Sequence, residues 1–214
     1  MLQAMGCFDF KRRLFATYYD AMTAEYDAAM AEPKRELLAQ LHGLVVEIGP
    51  GTGSNLALLP EGVQWVGIEP NLHMHPLLKA KAQALGRSVD LRCLSAGKLP
   101  FEDGSVDCVL STLVLCSVPD LDQTLAEILR VLKPGGRFVY WEHVLAPEGK
   151  RLRALQHLFN PLQRFLADGC RCNRDFLKGL ERAGFQELRT DAFLLPKGLT
   201  PPWIRPHVSG VGIR

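Results

Sequence analysis

The run Leu44-Val45-Val46-Glu47-Ile48-Gly49-Pro50-Gly51-Thr52-Gly53 opens apolar and closes on three glycines. Near-continuous apolarity over a few residues marks a strand buried on both faces, as in a parallel sheet. The glycines let the backbone turn sharply out of that strand and come close to a ligand, where a Cβ would clash or forbid the dihedral. The loop differs from the dinucleotide pattern G-x-G-x-x-G by its leading carboxylate, Glu47, and by having Ser54 at the third glycine position. No Lys-Ser/Thr pair follows the last glycine, so it is not a Walker phosphate loop. A leading carboxylate suits a cationic ligand better than a pyrophosphate, since unlike charges attract.

Downstream, the apolar run 63–68 reads as a second strand ending at Glu69. Glu69 stands about 20 residues beyond the start of the loop, where a carboxylate can accept both hydroxyls of a ribose. A helix is expected between the loop and this strand, and another over 75–85 with Pro76 in its first turn. Strands follow at 89–93 and 106–111, then a helix over 120–132 with Leu121, Leu125, Ile128, Leu129 and Leu132 on one stripe. Lys133-Pro134-Gly135-Gly136 stops that helix before a fifth strand at 137–144. Strands alternating with helices mean right-handed crossovers and a parallel sheet covered on both faces. The expected fold is α/β, a doubly wound, Rossmann-like and mostly parallel sheet.

Upstream, aromatic and apolar residues predict a helix over 11–30, broken by Pro33, and a second helix over 34–42 ended by Gly43. After the fifth strand, Leu152, Leu155, Leu158, Phe159, Leu162 and Phe165 recur at helical spacing over 151–166, and Pro161 should kink or split the segment. It reads as a helix packed on the core, a cap over an apolar substrate, or a contact with a membrane surface. A helix end over 179–185, a strand at 186–193, a Pro-rich stretch and a last strand at 207–213 close the chain. These divide a single domain, 1–214, into an N-terminal helical cap (1–43), a cofactor-binding core (44–150), an inserted cap segment (151–178) and C-terminal strands (179–214).

Composition narrows the function classes. The chain has 214 residues, 47% of them hydrophobic and 22% charged, which excludes a disordered or collagen-like protein. A net charge of +2 argues against a nucleic-acid partner, whose phosphate contacts call for a clear basic excess. No apolar run approaches the roughly 20 residues that span a bilayer. The stretch 1–13 is too poor in apolar residues for a signal peptide, so a cytoplasmic location is expected. Cys7, Cys93, Cys108, Cys116, Cys170 and Cys172 form no pair of C-x-x-C knuckles, and His73 and His75 lack further ligands, so no metal is expected. Free cysteines of this kind behave as small hydrophobes in a reducing compartment.

From about residue 45 to 144 the order of motifs resembles the class I S-adenosylmethionine-dependent methyltransferases. Leu99-Pro100-Phe101-Glu102-Asp103-Gly104-Ser105-Val106-Asp107 and Leu129-Arg130-Val131-Leu132-Lys133-Pro134-Gly135-Gly136 are similar to segments flanking strands four and five in the quinone and sterol C-methyltransferases. Leu113-Val114-Leu115-Cys116-Ser117-Val118, Trp141-Glu142-His143-Val144 and Asp168-Gly169-Cys170 resemble the membrane-anchored alkyl-thiol S-methyltransferases. Those relatives begin with a hydrophobic anchor that this sequence does not show, so membrane residence is not carried over.

The resemblance implies S-adenosylmethionine as cofactor. Glu47 would hold the loop and approach the methionyl ammonium, and Gly49, Gly51 and Gly53 would give it backbone room. Glu69, followed by Pro70, would take the ribose hydroxyls, and Met74 would pack against adenine. Ser95-Ala96 stands where many relatives have Asp-Ala, with the Ala96 N–H reaching the ring. Thr112 and Leu113 would line the sulfonium and methyl, and Tyr19 would fold over the cofactor or sit in the core. The acceptor would be a small, rather apolar molecule, with a thiol favoured. A thiol reacts as its thiolate, so a base near neutrality helps. His143 is the first candidate and Asp168 the second; the alternative for Asp168 is a helix cap or a salt bridge to Arg171 or Arg174. Cys116, Trp141 and Phe159 would form the substrate pocket. The alternatives are N- or C-methylation of a phospholipid amine or quinone, or a cofactor-binding partner protein without catalysis. No motif bears on oligomeric state.

Overall fold

The computed structural model describes the backbone of residues 2–214 and side chains from Asp9 onward, so the expectation for the Cys7 side chain lies outside what is described. A long helix, α1 (Leu2–Leu38), leads into β1 (Leu44–Ile48). Then come β2 (Gln64–Ile68), α2 (His75–Ala84), β3 (Asp90–Arg92), β4 (Val106–Thr112), α3 (Leu121–Val131) and β5 (Leu132–His143). The chain ends with α4 (Arg151–Leu166), α5 (Phe176–Ala183), β6 (Glu187–Leu194), a single 3-10 turn at Pro202–Ile204 and β7 (Pro206–Ile213).

The strands form one seven-stranded sheet in the order β3-β2-β1-β4-β5-β7-β6. The first five strands pair parallel, and β7 runs antiparallel between β5 and β6. This is the doubly wound, mostly parallel, Rossmann-like sheet that the alternation predicts. Its two faces carry separate cores, one around Val46, Ile48, Val109, Phe138 and Tyr140, the other around Val45, Trp65, Leu110 and Val139. Neighbouring residues of one strand thus enter opposite cores, which is why β1 reads as a continuous apolar run.

Four expectations are corrected. Pro33 does not break α1, and Pro161 does not split α4. A proline inside a helix leaves the carbonyl four residues earlier without its donor. Here those carbonyls belong to Ala29 and His157, both exposed, so water can serve them. The segment after the glycine loop is a succession of turns rather than a helix. It is closed by three-residue bonds such as Gly53 N to Pro50 O and Leu56 N to Gly53 O, because the left-handed glycines interrupt helical dihedrals. Finally, α4 is not a core helix. Only Gln156 is buried on it, while Leu155, Leu158, Leu162, Phe165 and Leu166 are exposed.

Candidate active site

β1 and β4 lie side by side, with Ile48 opposite Ser111, and the loops leaving them meet at the carboxyl edge of the sheet. Ligands of doubly wound folds bind at this edge. Gly49, Gly51 and Gly53 take φ of +59°, +55° and +84°. At Gly49 a Cβ would fall 2.6 Å from both Val114 methyls, so only glycine fits. Above Gly51 the space is open, the nearest atom to an added Cβ being a Tyr19 ring carbon at 3.9 Å. α1 clamps the loop from outside: the Thr52 hydroxyl donates to Asp20, and Ser54 Oγ donates to Asp27 at 3.2 Å.

Beneath the loop, the Glu47 carboxylate is buried, accepting from Asn55 Nδ2 at 2.7 Å and from Trp65 Nε1 at 2.8 Å. Burial pushes its pKa up to about 6. Both oxygens therefore already hold a donor within the protein. Asn55 Nδ2 also donates to Thr112 Oγ1 at 2.8 Å, joining the glycine loop to the end of β4. Asn55 Oδ1 is buried without a partner among the described residues, an acceptor left for a ligand's N–H.

Glu69, at the end of β2, accepts from Gly51 N at 3.0 Å and from Asn71 N at 2.7 Å, and burial raises its pKa. A carboxylate has about four acceptor sites, so these bonds leave room for a diol. The adjoining Pro70 takes part through its carbonyl, which accepts from Arg12 Nη1 at 3.4 Å. Asn71 Nδ2 lies 3.3 Å from the Arg12 carbonyl and 3.5 Å from Asp168 Oδ2. Asp168 Oδ1 lies 3.6 Å from Arg12 Nε. The ion partner of Asp168 is thus Arg12, not Arg171 or Arg174; Arg174 instead donates to the Leu115 and Val118 carbonyls. Met74 is buried at the start of α2, Ala96 is buried, and Ser95 is exposed, its hydroxyl 3.5 Å from Gly97 N in its own turn.

The loop after β4 is strained. Leu113 has φ +60°, uncommon for a residue with a side chain, and such strain costs on the order of 1–3 kcal/mol. Glu142 holds it in place, accepting from Ser111 Oγ at 2.6 Å and from the N–H groups of Val114 and Leu115 at 3.2 Å each. Burial pushes the Glu142 pKa up to about 7.

The far side of that loop carries Cys116, which meets His143 from the end of β5 and Cys170 from the turn after α4. Their ligand atoms all lie within 4.8 Å of one another, and His143 Nε2 stands 3.1 Å from Cys170 Sγ. Hydrogen bonding from Cys170, outweighing burial, and the nearby His143 hold the Cys116 thiol well below its usual range. Burial works against charge on His143, but the Cys116 sulfur outweighs it and raises the imidazole.

Trp141 and Phe159 are not brought to this cluster. Trp141 donates to Tyr26 at 2.7 Å, packs on Phe193 and borders a cleft with Met30, Pro33 and Leu37. Phe159 stacks on Trp203 at 4.1 Å, and Trp203 in turn donates to Gln163, whose amide contacts Cys170. Asn55, Asn71, Glu142 and Cys170 are site residues to which the sequence reading gave no role. Two signals were available: an amide directly ahead of the apolar run 56–59, and an acid inside the apolar fifth strand.

A family model described as "Methyltransferase domain" matches residues 46–140. Human thiol S-methyltransferase TMT1B is 32% identical over an alignment that takes in all of this chain and 92% of the relative. Human thiol S-methyltransferase TMT1A is 34% identical, with 95% of this chain and 87% of the relative covered. Among solved structures, an S-adenosylmethionine-dependent methyltransferase from Thermotoga maritima superposes with a TM-score of 0.68 at 20% identity, covering 96% of this chain and 99% of its own. The geranyl diphosphate C-methyltransferase of Streptomyces coelicolor, solved with S-adenosyl-L-homocysteine, reaches 0.65 at 16% identity, covering 87% of this chain and 81% of its own. At these identities the two structures establish the fold.

Proposed function

The chain belongs to the S-adenosylmethionine-dependent methyltransferase family that includes the human thiol S-methyltransferases, and from that premise we propose that its acceptor is a small, rather apolar thiol. The observation that carries the reading is the buried group Cys116, His143 and Cys170 beside the strained Leu113 loop, at the edge where ligands of this fold bind. A thiol acceptor must lose its proton before it attacks, and this group of ionisable side chains supplies the means.

The cofactor brings an activated sulfonium methyl, so the protein's tasks are to bind, align and exclude water. In this proposal Glu69 takes the ribose hydroxyls and the glycine loop gives backbone room. Glu47 acts through Asn55, whose free Oδ1 receives an N–H of the methionyl ammonium. Tyr19 covers the loop, Met74 and Ala96 border the adenine, and Thr112 and Leu113 line the methyl. Asp168 closes the ribose side with Arg12. The group formed by Cys116, His143 and Cys170 brings about the ionisation of the acceptor.

Labelled S-adenosylmethionine offered with a panel of thiols, amines and quinones tests the acceptor class. Methylation of thiols is expected; turnover of amines or quinones alone overturns the proposal. His143→Ala should lower thiol turnover by roughly 10²-fold or more while leaving cofactor affinity nearly unchanged. Wild-type turnover in that variant would remove His143 from the chemistry.

The surface supports a further part of the proposal, transient contact with a lipid membrane. Phe10, Leu14, Tyr18 and Met22 are exposed at every fourth position of α1, next to the exposed apolar face of α4. The Lys11 ammonium, 3.6 Å above the Phe165 ring, links the two helices, and Arg13, Arg151 and Arg164 add positive charge suited to anionic headgroups. Among the described residues no helix is long and apolar enough to cross a membrane. The five cysteines whose side chains are described are all free, which supports a cytoplasmic location.

A further inference from the structure

We propose that Cys116, His143 and Cys170 together hold one zinc ion whose fourth position is open to the sulfur of the acceptor thiol. The inference rests on the thiol reading above only for the identity of that fourth ligand.

The three donors come from distant parts of the chain: the loop after β4, the last residue of β5 and the turn after α4. The fold nevertheless brings their ligand atoms within 4.8 Å of one another, with 3.1 Å between His143 Nε2 and Cys170 Sγ. Zinc bonds of about 2.0–2.1 Å to nitrogen and about 2.3 Å to sulfur, in tetrahedral array, fit a triangle of this size. Two thiolates and an imidazole are also the donor types that select zinc over magnesium or calcium.

The surroundings of the two sulfurs suit a ligand set, while His143 Nδ1 is buried with no hydrogen-bond partner among the described residues. Gln163 Nε2 stands 3.6 Å from Cys170 Sγ, an N–H···S contact of the kind that orients a zinc thiolate. Arg171 N donates to the Cys116 carbonyl at 3.2 Å, tying the segment of one sulfur to the segment of the other. Glu142 fixes the loop that carries Cys116 through the Val114 and Leu115 N–H groups.

Among the described residues no fourth protein ligand closes the site. The nearby Cys172 is fully buried and turned aside, its sulfur donating to the Gln156 carbonyl at 3.2 Å. Asp168 is engaged with Arg12. Cys116, His143 and Cys170 are all buried, at 4%, 6% and 7% exposure, so a thiol at the fourth position would be shielded from water. Three protein ligands with an open position are the mark of a catalytic rather than a structural zinc.

At that position an acceptor thiol gives up its proton to solvent on binding and stays as a thiolate at neutral pH. Its sulfur then forms a bond to the cofactor methyl while the sulfonium carbon–sulfur bond breaks, and that electron pair remains on the cofactor sulfur. Anion and cation become two neutral thioethers. The methylated acceptor, no longer an anionic ligand, is released. His143 acts here as a ligand through Nε2, and ionisation falls to the cation.

The test is a cobalt(II) titration of the full-length protein after metal removal by a chelator. The expected result is one equivalent bound, with sulfur-to-cobalt charge-transfer absorption, intense tetrahedral visible bands and stoichiometric displacement by zinc. An added acceptor thiol should shift the bands. Cys116→Ser, Cys170→Ser and His143→Ala should each weaken cobalt binding at least about 10-fold. Exposed Cys93→Ser should bind as wild type. Calorimetric binding of S-adenosylhomocysteine establishes that each variant is folded; should one fail it, the wild-type spectrum and stoichiometry decide. Binding well short of one equivalent, an octahedral spectrum, or unchanged binding in folded ligand variants would overturn the site. A spectrum indifferent to thiol would overturn the open position. Thiol methylation that survives metal removal would sink the zinc proposal and leave the thiol reading intact. Tight zinc binding without methylation of any thiol would sink the reading and leave the site.

Discussion

Asp168 reaches Arg12 across 156 residues of sequence, its Oδ1 3.6 Å from Arg12 Nε, and so fastens the turn after α4 to the first helix. Both side chains remain about a quarter exposed (29% and 24%), so the pair itself is weak, with a worth of about 0.2–1 kcal/mol. Its place matters more than its strength, because Asn71 Nδ2 lies 3.5 Å from the same carboxylate, next to Glu69.

Asp168→Asn should therefore weaken S-adenosylhomocysteine binding by roughly two- to fivefold. The loss should shrink at high salt, where the wild-type pair is itself screened. Calorimetry at two ionic strengths checks this, and an affinity equal to wild type at low salt would show that the fastening does not retain the cofactor.

Glu69→Ala should cost about 1.5–3 kcal/mol of cofactor affinity, the range for hydrogen bonds to a charged group. Glu69→Gln should fall between the two, since one amide oxygen can still accept from Gly51 N or Asn71 N. An alanine variant that binds as tightly as wild type would take Glu69 out of the site.

Glu47 makes stability depend on pH. Its carboxyl titrates near 4.5 when unfolded and at about 6 when folded, because burial disfavours its charge. Between those values the folded state binds more protons, so the Glu47 contribution is fully present below about 4.5 and is lost as pH rises through about 6. At 1.36 kcal/mol per unit the loss is about 2 kcal/mol. Urea unfolding of the ligand-free wild type and Glu47→Gln at pH 4.5 and 7 reads most of it: wild type should lose stability relative to the variant by about four-fifths of that amount. A pH-independent difference would contradict the shift.

The exposed apolar face of α4 should carry membrane affinity without carrying stability. Leu158 and Phe165 are 70% and 61% exposed, so Leu158→Asp and Phe165→Asp should leave the melting temperature nearly unchanged. Each should reduce partitioning onto anionic phospholipid vesicles by roughly tenfold or more, the equivalent of one buried apolar side chain. Equal flotation of wild type and variants would rule out this face as the contact.

The core strands were legible because burial on both faces leaves one signature, an apolar run, whatever the rest of the chain does. Glu47, the glycine loop and Glu69 were legible for a similar reason: all three lie within 25 residues and share one local geometry. Pro33 and Pro161 misled because the cost of an internal proline depends on whether the carbonyl four residues back meets water, and periodicity carries no such information. The leucines of α4 show helical spacing whether their stripe faces a core or solvent. Cys116, His143 and Cys170 could not be seen as a group, since each is 27 residues from the next and only strand order brings them together. Glu142 was visible as an acid in an apolar strand, but its hold on Val114 and Leu115 depends on the register between β4 and β5.

An unbroken α1 has a mechanical consequence. Arg12 at the ribose side, Asp20 and Asp27 on the glycine loop, and Leu38 in the core beneath β1 all ride on one rod, about 39 Å from first to last at 1.5 Å per residue. A rod without a joint cannot lift at one end in isolation: swinging Arg12 away levers on Asp20 and Asp27 as well. Cofactor exchange by movement of this helix would then be a single concerted opening rather than a sequence of small ones.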